Sequence, residues 1–479
     1  MNATVHAIMM LIFGYYMCLH GIYLLLILIG ATQLRRYHLG INYGDFKRIA
    51  ESQLTMPFSV IVPAYNEEMV IVNTVQGALA LRYPQHEVIV VNDGSTDATM
   101  DLLIKHFGLR QIHKVGPRPL PTKAVRAVYE SYEFPNLVVV DKENGKRADA
   151  INAAANLSRY PMLCVIDADC VLETDALVRA VRPFLRNSRV VAAGGIVRPA
   201  NGLEVEDGHI IRCGLPQSFL SLLQTVEYLR SFQWARLGLA RLRSMLCISG
   251  AFMVVKRDVF LAMKGCDADS ITDDIEFTVR LHEHVYGPDV KTKMEIAYIP
   301  DPVCYTEVPE SMSVFAAQRN RWQRGTLQAL LKNRKMAFNP RYGITGLFGM
   351  PFFLLFEAFS GVIEGASYVF MVLALVLGLV GWYEIGLFMV FAVLLGTFLS
   401  ISAVLLQERT RMRVAGTREL GRLLFACLVE NFGYHQYHLF HRIVGTFDYL
   451  VRHRTDLGEM KRYGTYQKPV AAEPAKQIG

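Results

Sequence analysis

Three acidic clusters and one basic-aromatic segment carry most of the chemistry available to this sequence. The clusters are Asn92-Asp93-Gly94, Asp167-Ala168-Asp169 and Thr272-Asp273-Asp274, and Gln318-Arg319-Asn320-Arg321-Trp322 follows them along the chain. Carboxylate oxygens hold hard divalent cations, and a carboxylate near such a cation can take a proton from a hydroxyl. A guanidinium grips a diphosphate through its planar fork, and an indole stacks on the face of a sugar ring. Together these groups point to transfer of a group from a diphosphate leaving group to a hydroxyl acceptor.

Each segment also has a plainer use. Asp93 precedes Gly94-Ser95-Thr96-Asp97, a turn that exposes its carboxylate to a nucleobase or ribose, and an Asx-turn or N-cap uses the same residues. Asp167 and Asp169 end a hydrophobic run and suit Mg²⁺ or Mn²⁺ bridging two phosphates, or serve as turn acids. Thr272 and Asp273 are good helix caps, while Asp274 is placed to act as general base. The segment around Arg321 and Trp322 has the composition of a membrane-interface helix, but such a helix does not require Arg beside Trp. Asn144-Gly145-Lys146-Arg147-Ala148-Asp149 brings cations for a pyrophosphate or is a solvated charge run, and Ser249-Gly250-Ala251 suits close packing or the floor of an acceptor channel. His435, His438 and His441 are interleaved with Tyr434, Tyr437 and Phe440, which favours an aromatic interfacial helix over metal ligation. His282 and His284 read as a solvated helix end.

The elements that position these residues follow from periodicity. Ser59-Val-Ile-Val-Pro and Glu87-Val-Ile-Val-Val are buried strands ending in polar turns, with a helix from Met69 to Leu81 between them, which makes a right-handed βαβ unit in a parallel sheet. Asn136 to Asp141 and Met162 to Asp169 are two more strands ending in acids. Ligands of open α/β sheets bind beyond the carboxyl ends of strands, so Tyr65, Glu67, Asp93, Asp141 and Asp169 are expected to share one crevice. No strand is followed by G-x-G-x-x-G, which disfavours a dinucleotide-dependent hydride-transfer enzyme.

With 479 residues the chain exceeds a single domain, and its 52% hydrophobic residues gather at the two ends. Met10 to Thr32 contains no charged residue and is long enough to cross a bilayer, a retained anchor rather than a secretory signal. Arg35, Arg36, Lys47 and Arg48 place the following side in the cytoplasm. The expected organisation is a transmembrane helix at 1–33, a connector at 34–54, a cytoplasmic catalytic domain at 55–340, transmembrane and interfacial helices at 341–445, and a cytoplasmic tail at 446–479. In the C-terminal block the spans expected are about 361–381 and 385–406, with Arg409, Arg411 and Arg413 returning to the cytoplasm. The stretches 344–356 and 423–440 read as interfacial or re-entrant helices that are also able to cross. The net charge of +7 is accounted for by residues flanking the membrane and gives no argument for nucleic acid; the eight cysteines contain no C-x-x-C pair and fit reduced thiols.

Taken in order, Pro63-Ala64-Tyr65-Asn66-Glu67, Asn92-Asp93-Gly94-Ser95-Thr96-Asp97, Asp167-Ala168-Asp169, Thr272-Asp273-Asp274 and Gln318-x-x-Arg321-Trp322 resemble the membrane-bound processive family 2 glycosyltransferases, among them cellulose, chitin, hyaluronan and poly-N-acetylglucosamine synthases. The resemblance covers roughly residues 55–330. It implies an α/β GT-A-like glycosyltransferase domain inserted between N-terminal and C-terminal transmembrane or interfacial helices. It further implies a UDP-sugar donor with Asp93 at the nucleotide, Asp169 at Mg²⁺ or Mn²⁺, Asp274 as base, and Arg321 and Trp322 at the diphosphate and acceptor. Tyr65, Glu67, Arg147, Asp149, Asp167, Gly250, Asp273 and Gln318 complete the expected substrate surface. The acceptor would be a growing polysaccharide passed through the bilayer, with accessory export subunits as further partners.

Three departures mark this sequence. The family's T-E-D is Thr272-Asp273-Asp274, and its G-K-A-D-A-L-N becomes Lys146-Arg147-Ala148-Asp149-Ala150-Ile151-Asn152, with Arg147 where Lys is usual. The stretch after the last apolar segment is too short for the PilZ domain of many bacterial cellulose synthases. The motifs handle UDP, cation and proton transfer, not the substituents at C2 or C4, so UDP-N-acetylglucosamine and UDP-glucose stand together as donors. Two rival readings are a transferase adding one sugar to a lipid-linked or oligosaccharide acceptor, and a non-catalytic channel or sugar-nucleotide sensor.

Overall fold

Runs of β-branched residues bounded by polar turns form a ten-stranded mixed sheet. The computed structural model describes residues 3–39, 43–113, 119–287, 294–408, 416–456 and 464. Arg409, Arg411 and Arg413 and most of the expected tail lie outside these residues. The strands are β1 (Phe58–Ala64), β2 (His86–Asn92), β3 (Leu109–Ile112), β4 (Val125–Ser131), β5 (Leu137–Lys142), β6 (Met162–Val165), β7 (Cys170–Leu172), β8 (Val190–Pro199), β9 (Leu203–Glu206), β10 (His209–Cys213), β11 (Met253–Lys256) and β12 (Glu295–Thr306). Their order in the sheet is β3-β4-β5-β2-β1-β6-β11-β8-β12-β7, and β9 and β10 form a separate hairpin.

The βαβ unit expected at the start of the body is present. Strand β1 runs parallel to β2, with Phe58 opposite His86 and Ala64 opposite Asn92, and helix Ile71–Leu79 connects them. That helix is shorter than the expected Met69 to Leu81. The turn Asn66 to Met69 holds it back, with Asn66 at φ 56° and the amides of Val70 and Ile71 both donating to the Glu67 carbonyl. Strands β5 and β6 extend the parallel core on either side, and antiparallel pairs at β4, β11 and β7 make the sheet mixed.

Alternation along the strands loads both faces of the sheet. Val60, Val62, Val88, Val90 and Val139 pack with helices Ile71–Leu79 and Ala176–Arg186 on one face. Ile61, Ile89, Val91, Val138 and Val140 pack with Ala150, Ile151 and Ala154 on the other. Strands covered on two sides read as continuous hydrophobic runs, which is why they are legible without a polar face.

Long apolar helices stand at both ends of the chain. Helix Ala3–Leu39 has 37 residues, and at about 1.5 Å per residue it extends well past a hydrocarbon core of roughly 30 Å. Its far end reaches the sheet domain, where the Tyr37 hydroxyl donates to Asp301 and accepts from Arg182. Among the described residues, Ala3–Tyr37 and Trp382–Glu408 are long and apolar enough to cross a membrane; a third crossing results if Thr345–Ala358 and Ser360–Val376, bent by 46°, act as one span.

The N-terminal helix meets the body through backbone. A Cβ on Gly30 would stand 2.7 Å from the Trp234 carbonyl oxygen, and Gly238 lies against the Leu26 backbone. Gly30→Ala is therefore expected to push the helix off its seat and to lower stability by about 1–3 kcal/mol, measured by thermal unfolding in detergent.

Candidate active site

The carboxyl ends of β1, β2 and β6 open on one cavity of about 1360 Å³, whose walls include Tyr65, Glu67, Asp93, Arg147, Asp167, Gly250, Asp273, Asp274, Gln318, Arg321 and Trp322. Of the residues expected at the site, Asp149 and Asp169 are not on its wall. Asp141, expected in the same crevice, turns aside: its Oδ1 accepts from the Asn92 side-chain Nδ2 at 2.7 Å.

Arg147 ties the acidic clusters together. Its Nε donates to Asp167 Oδ1 at 2.8 Å, Nη1 to Asp273 Oδ2, and Nη2 to the Gly250 carbonyl at 2.8 Å. The surrounding acids more than offset burial and hold the guanidinium protonated. Burial pushes the Asp273 carboxyl up from its ordinary range, and Arg147 opposes that shift. Asp274 follows at the head of helix Asp273–Val285, where Oδ2 accepts from the Gly250 amide at 3.2 Å and Oδ1 from the Ile275 amide at 2.8 Å. Glycine is required opposite this helix: Gly325 lies against the Thr272 side chain with no room for a Cβ.

Asp93 rests on a buried ion triad that sequence reading missed. Lys142 Nζ lies 2.6 Å from Asp93 Oδ1 and 2.6 Å from Asp149 Oδ1, and its side chain is fully buried. Asp149 also accepts from the Lys123 amide, so it is a buried counter-ion beneath the site and not a residue of the cavity wall. Burial pushes the Asp93 carboxyl up, while Lys142 and the Gly145 amide at 3.0 Å pull it back. The signal for Lys142 was present in the period of two along β5, which puts residue 142 on the inward face of Val138 and Val140.

Asp167, Asp169 and Cys170 offer donor atoms within 4.8 Å of one another. Burial pushes the Cys170 thiol up, and its Sγ lies 3.5 Å from the Ala251 carbonyl, while Asp167 and Asp169 supply two carboxylates as hard donors. Asp169 is fully buried, with Thr306 Oγ1 donating to its Oδ2 at 3.2 Å. The two carboxylates fit Mg²⁺ or Mn²⁺.

The basic-aromatic segment lies on helix Met312–Lys332, which begins with the Ser311 hydroxyl accepting from the Val314 amide. Gln318 is buried, and its Oε1 has no hydrogen-bond partner among the described residues. Trp322 sits under the Arg319 guanidinium, 4.5 Å from the ring centroid. The same cavity continues past this helix to Tyr16, His20, Glu364, Asn431 and His435, which belong to or pack among the apolar helices. His435 Nε2 pairs with Glu364 at 3.0 Å.

A family described as glycosyltransferase like family 2 matches residues 56–325, and a chitin synthase family matches 289–443. The chain belongs to the family 2 glycosyltransferases, and its mixed sheet with acids at the strand ends is of the GT-A kind. It is similar to the poly-beta-1,6-N-acetyl-D-glucosamine synthase of Staphylococcus epidermidis, 26% identical over 301 residues that span 62% of each chain. The enzyme of the same name from Staphylococcus aureus strain COL is 27% identical over 57% of this chain and 55% of its own. Matches therefore span less than two thirds of these relatives. Among solved structures, a mannosyltransferase from Pyrobaculum calidifontis in complex with GDP-Man and Mn²⁺ aligns over 86% of this chain and 99% of its own, at 18% identity and a TM-score of 0.49. Staphylococcus aureus TarS residues 1–349 align over 85% and 95%, at 15% identity and a TM-score of 0.37.

Lys142→Met would leave Asp93 and Asp149 as neighbouring buried carboxylates without a cation. The expected cost is about 3–5 kcal/mol, read from denaturant or thermal unfolding, and Asp149→Asn in the same chain should recover part of it.

Proposed function

We propose that this chain is a processive inverting β-glycosyltransferase that extends a polysaccharide from a UDP-sugar and passes it across the membrane through its own helices. The observation that carries the proposal is the single cavity joining the acidic clusters to the polar groups set among the apolar helices. A transferase releasing a short product into water needs only the first half of that cavity. The names of the curated relatives specify poly-N-acetylglucosamine, which favours UDP-N-acetylglucosamine over UDP-glucose as donor.

In this reading Asp93 receives hydrogen bonds from the nucleoside, on the floor that Lys142 and Asp149 make rigid. Tyr65 and Glu67 stand on the opposing turn, which is braced against the Asp93 loop by the Asn66 amide donating to Ser95 Oγ and the Glu67 amide donating to Thr99 Oγ1. Asp167 and Asp169 would hold Mg²⁺ or Mn²⁺, whose charge offsets that developing on the diphosphate leaving group. Arg321 meets the diphosphate, and Trp322 stacks on the terminal sugar of the acceptor. Asp274 takes the proton of the acceptor hydroxyl as its oxygen bonds to the anomeric carbon; the bond from that carbon to UDP breaks, and its electron pair leaves with the β-phosphate. Attack opposite the leaving group inverts the anomeric configuration.

The domain on the sheet side is assigned to the cytoplasm, where UDP-sugars are made, with the N-terminal helix and the C-terminal block in the bilayer. Accessory export subunits would join at the far side of that block.

The test is purified protein with Mn²⁺ or Mg²⁺ and single UDP-sugars, with products sized by mass. Long product from UDP-N-acetylglucosamine is expected; UDP release without long product overturns processivity, and absence of UDP release overturns the enzyme reading. Asp274→Asn should lower UDP release by about 10²–10⁴-fold while donor affinity changes little. Chelation should weaken donor binding measured by calorimetry as well as stop turnover, with Mn²⁺ restoring both.

A further inference from the structure

Arg319 is two residues from Arg321, about 200° around the same helix, and so addresses a different neighbourhood. It shares a face with Phe315 and Trp322, and its guanidinium lies between them, 4.6 Å from the Phe315 ring centroid and 4.5 Å from that of Trp322. The residue is 2% exposed. A charge held there needs a partner, and Glu227 supplies it from the end of helix Phe219–Glu227, accepting from Nη1 at 2.7 Å and Nη2 at 3.0 Å. Glu227 Oε2 also accepts from the Tyr434 hydroxyl at 2.5 Å, at the start of helix Tyr434–Leu450. On another side of Trp322 stands Phe232, 6.2 Å away between centroids.

We propose that Arg319, clamped by Glu227 and Tyr434, is a positioning residue that fixes the plane of Trp322 where the cavity passes from the acidic clusters to the apolar helices. The proposal rests on the acceptor role given to Trp322 above. Three helices meet at one carboxylate, and the guanidinium transmits their placement to the indole by stacking. A planar fork is needed for this, because it bonds Glu227 edge-on while keeping both faces for the two rings; an ammonium at the same place has no such faces. Arg319 itself touches no reacting atom. Its contribution is to retention of the growing chain between additions, and therefore to product length, not to donor binding.

The experiment compares Arg319→Lys, Glu227→Gln and Tyr434→Phe in the full-length detergent-purified protein. The readouts are product length, donor KM and kcat, and acrylamide quenching of Trp322, the last taken as the difference from the same protein carrying Trp322→Phe. Arg319→Lys is expected to shorten the product about tenfold with donor KM changed less than about twofold, and to raise quenching of Trp322 by about twofold or more. Glu227→Gln should act in the same direction, and Tyr434→Phe in the same direction more weakly. Product length and quenching equal to wild type in Arg319→Lys overturn the proposal, as does a donor KM that rises in step with the loss. If Arg319→Lys does not fold, unchanged quenching in both other variants overturns it. If the wild type releases UDP without polymer, the processive reading fails, and the quenching comparison alone decides the role of Arg319.

Discussion

The guanidinium of Arg147 is the point on which the acidic site closes. It joins Asp167, Gly250 and Asp273, which lie 20, 103 and 126 residues away along the chain. Asp167 and Asp273 carry like charges at the rim of one cavity, and without a cation between them their repulsion would separate the loop after β6 from the head of helix Asp273–Val285. Arg147 offsets that repulsion through two N–H groups and uses a third to fix the backbone at Gly250. Because the Gly250 amide in turn meets Asp274, the side chain proposed as base is oriented through a chain of contacts that begins at Arg147. A Cβ at Gly250 would stand 3.2 Å from Arg147 Nη2 and would crowd the guanidinium at this contact. The family's usual Lys has one ammonium at this place, which cannot make the same three directed bonds in one plane.

A second cation performs a different task below. Lys142 faces no solvent and meets two carboxylates at 2.6 Å, so its ammonium is satisfied wholly by the protein. Burial of three charges costs free energy that the pairing only offsets, and what the arrangement yields is geometry. Asp93 is held by the ammonium from one side and by the Gly145 amide from another, with its own carbonyl accepting from Asn144. A carboxylate with so few degrees of freedom can present one fixed oxygen pattern to a nucleoside. The two cations are close in sequence because β5 and helix Lys146–Leu157 are joined by a short turn, so one strand-to-helix connection sets the floor and the rim of the site together.

These features were unequally legible in the sequence. The β1-helix-β2 unit and the acids ending the strands could be read because both follow from local rules: a period of two, and polar turns after buried runs. Lys142 follows the same rule, but its partner at 93 is set by the pairing of β2 with β5 and its partner at 149 by the packing of helix Lys146–Leu157, neither of which is a local pattern. Asp149 is the converse case: it shares a motif with Arg147, yet it faces the buried Lys142 ammonium and not the cavity. Glu227 and Tyr434 lie 92 and 115 residues from Arg319, and no local pattern links such positions. In the C-terminal block, Thr345–Ala358 and Ser360–Val376 meet at Phe359 with a bend of 46°, which a count of apolar residues does not register.

The half of the cavity set among the apolar helices adds a constraint of its own. Ionisable groups among apolar helices are expensive, and here they are satisfied inside the wall: Arg230 meets Glu430 and Ser400, His435 meets Glu364, and Glu357 accepts from Tyr23 while its carbonyl accepts from Arg442. Each of these acids already has a partner within the protein, so the wall presents dipoles, hydroxyls and rings more than net charge. A polyanion would meet Glu364, Glu357 and Glu430 with no surplus of cations to compensate, whereas an uncharged chain needs only hydroxyl and amide contacts that such a wall can exchange as it moves. The pairing that makes these charges tolerable between apolar helices is thus also what suits the proposed path to a neutral polysaccharide.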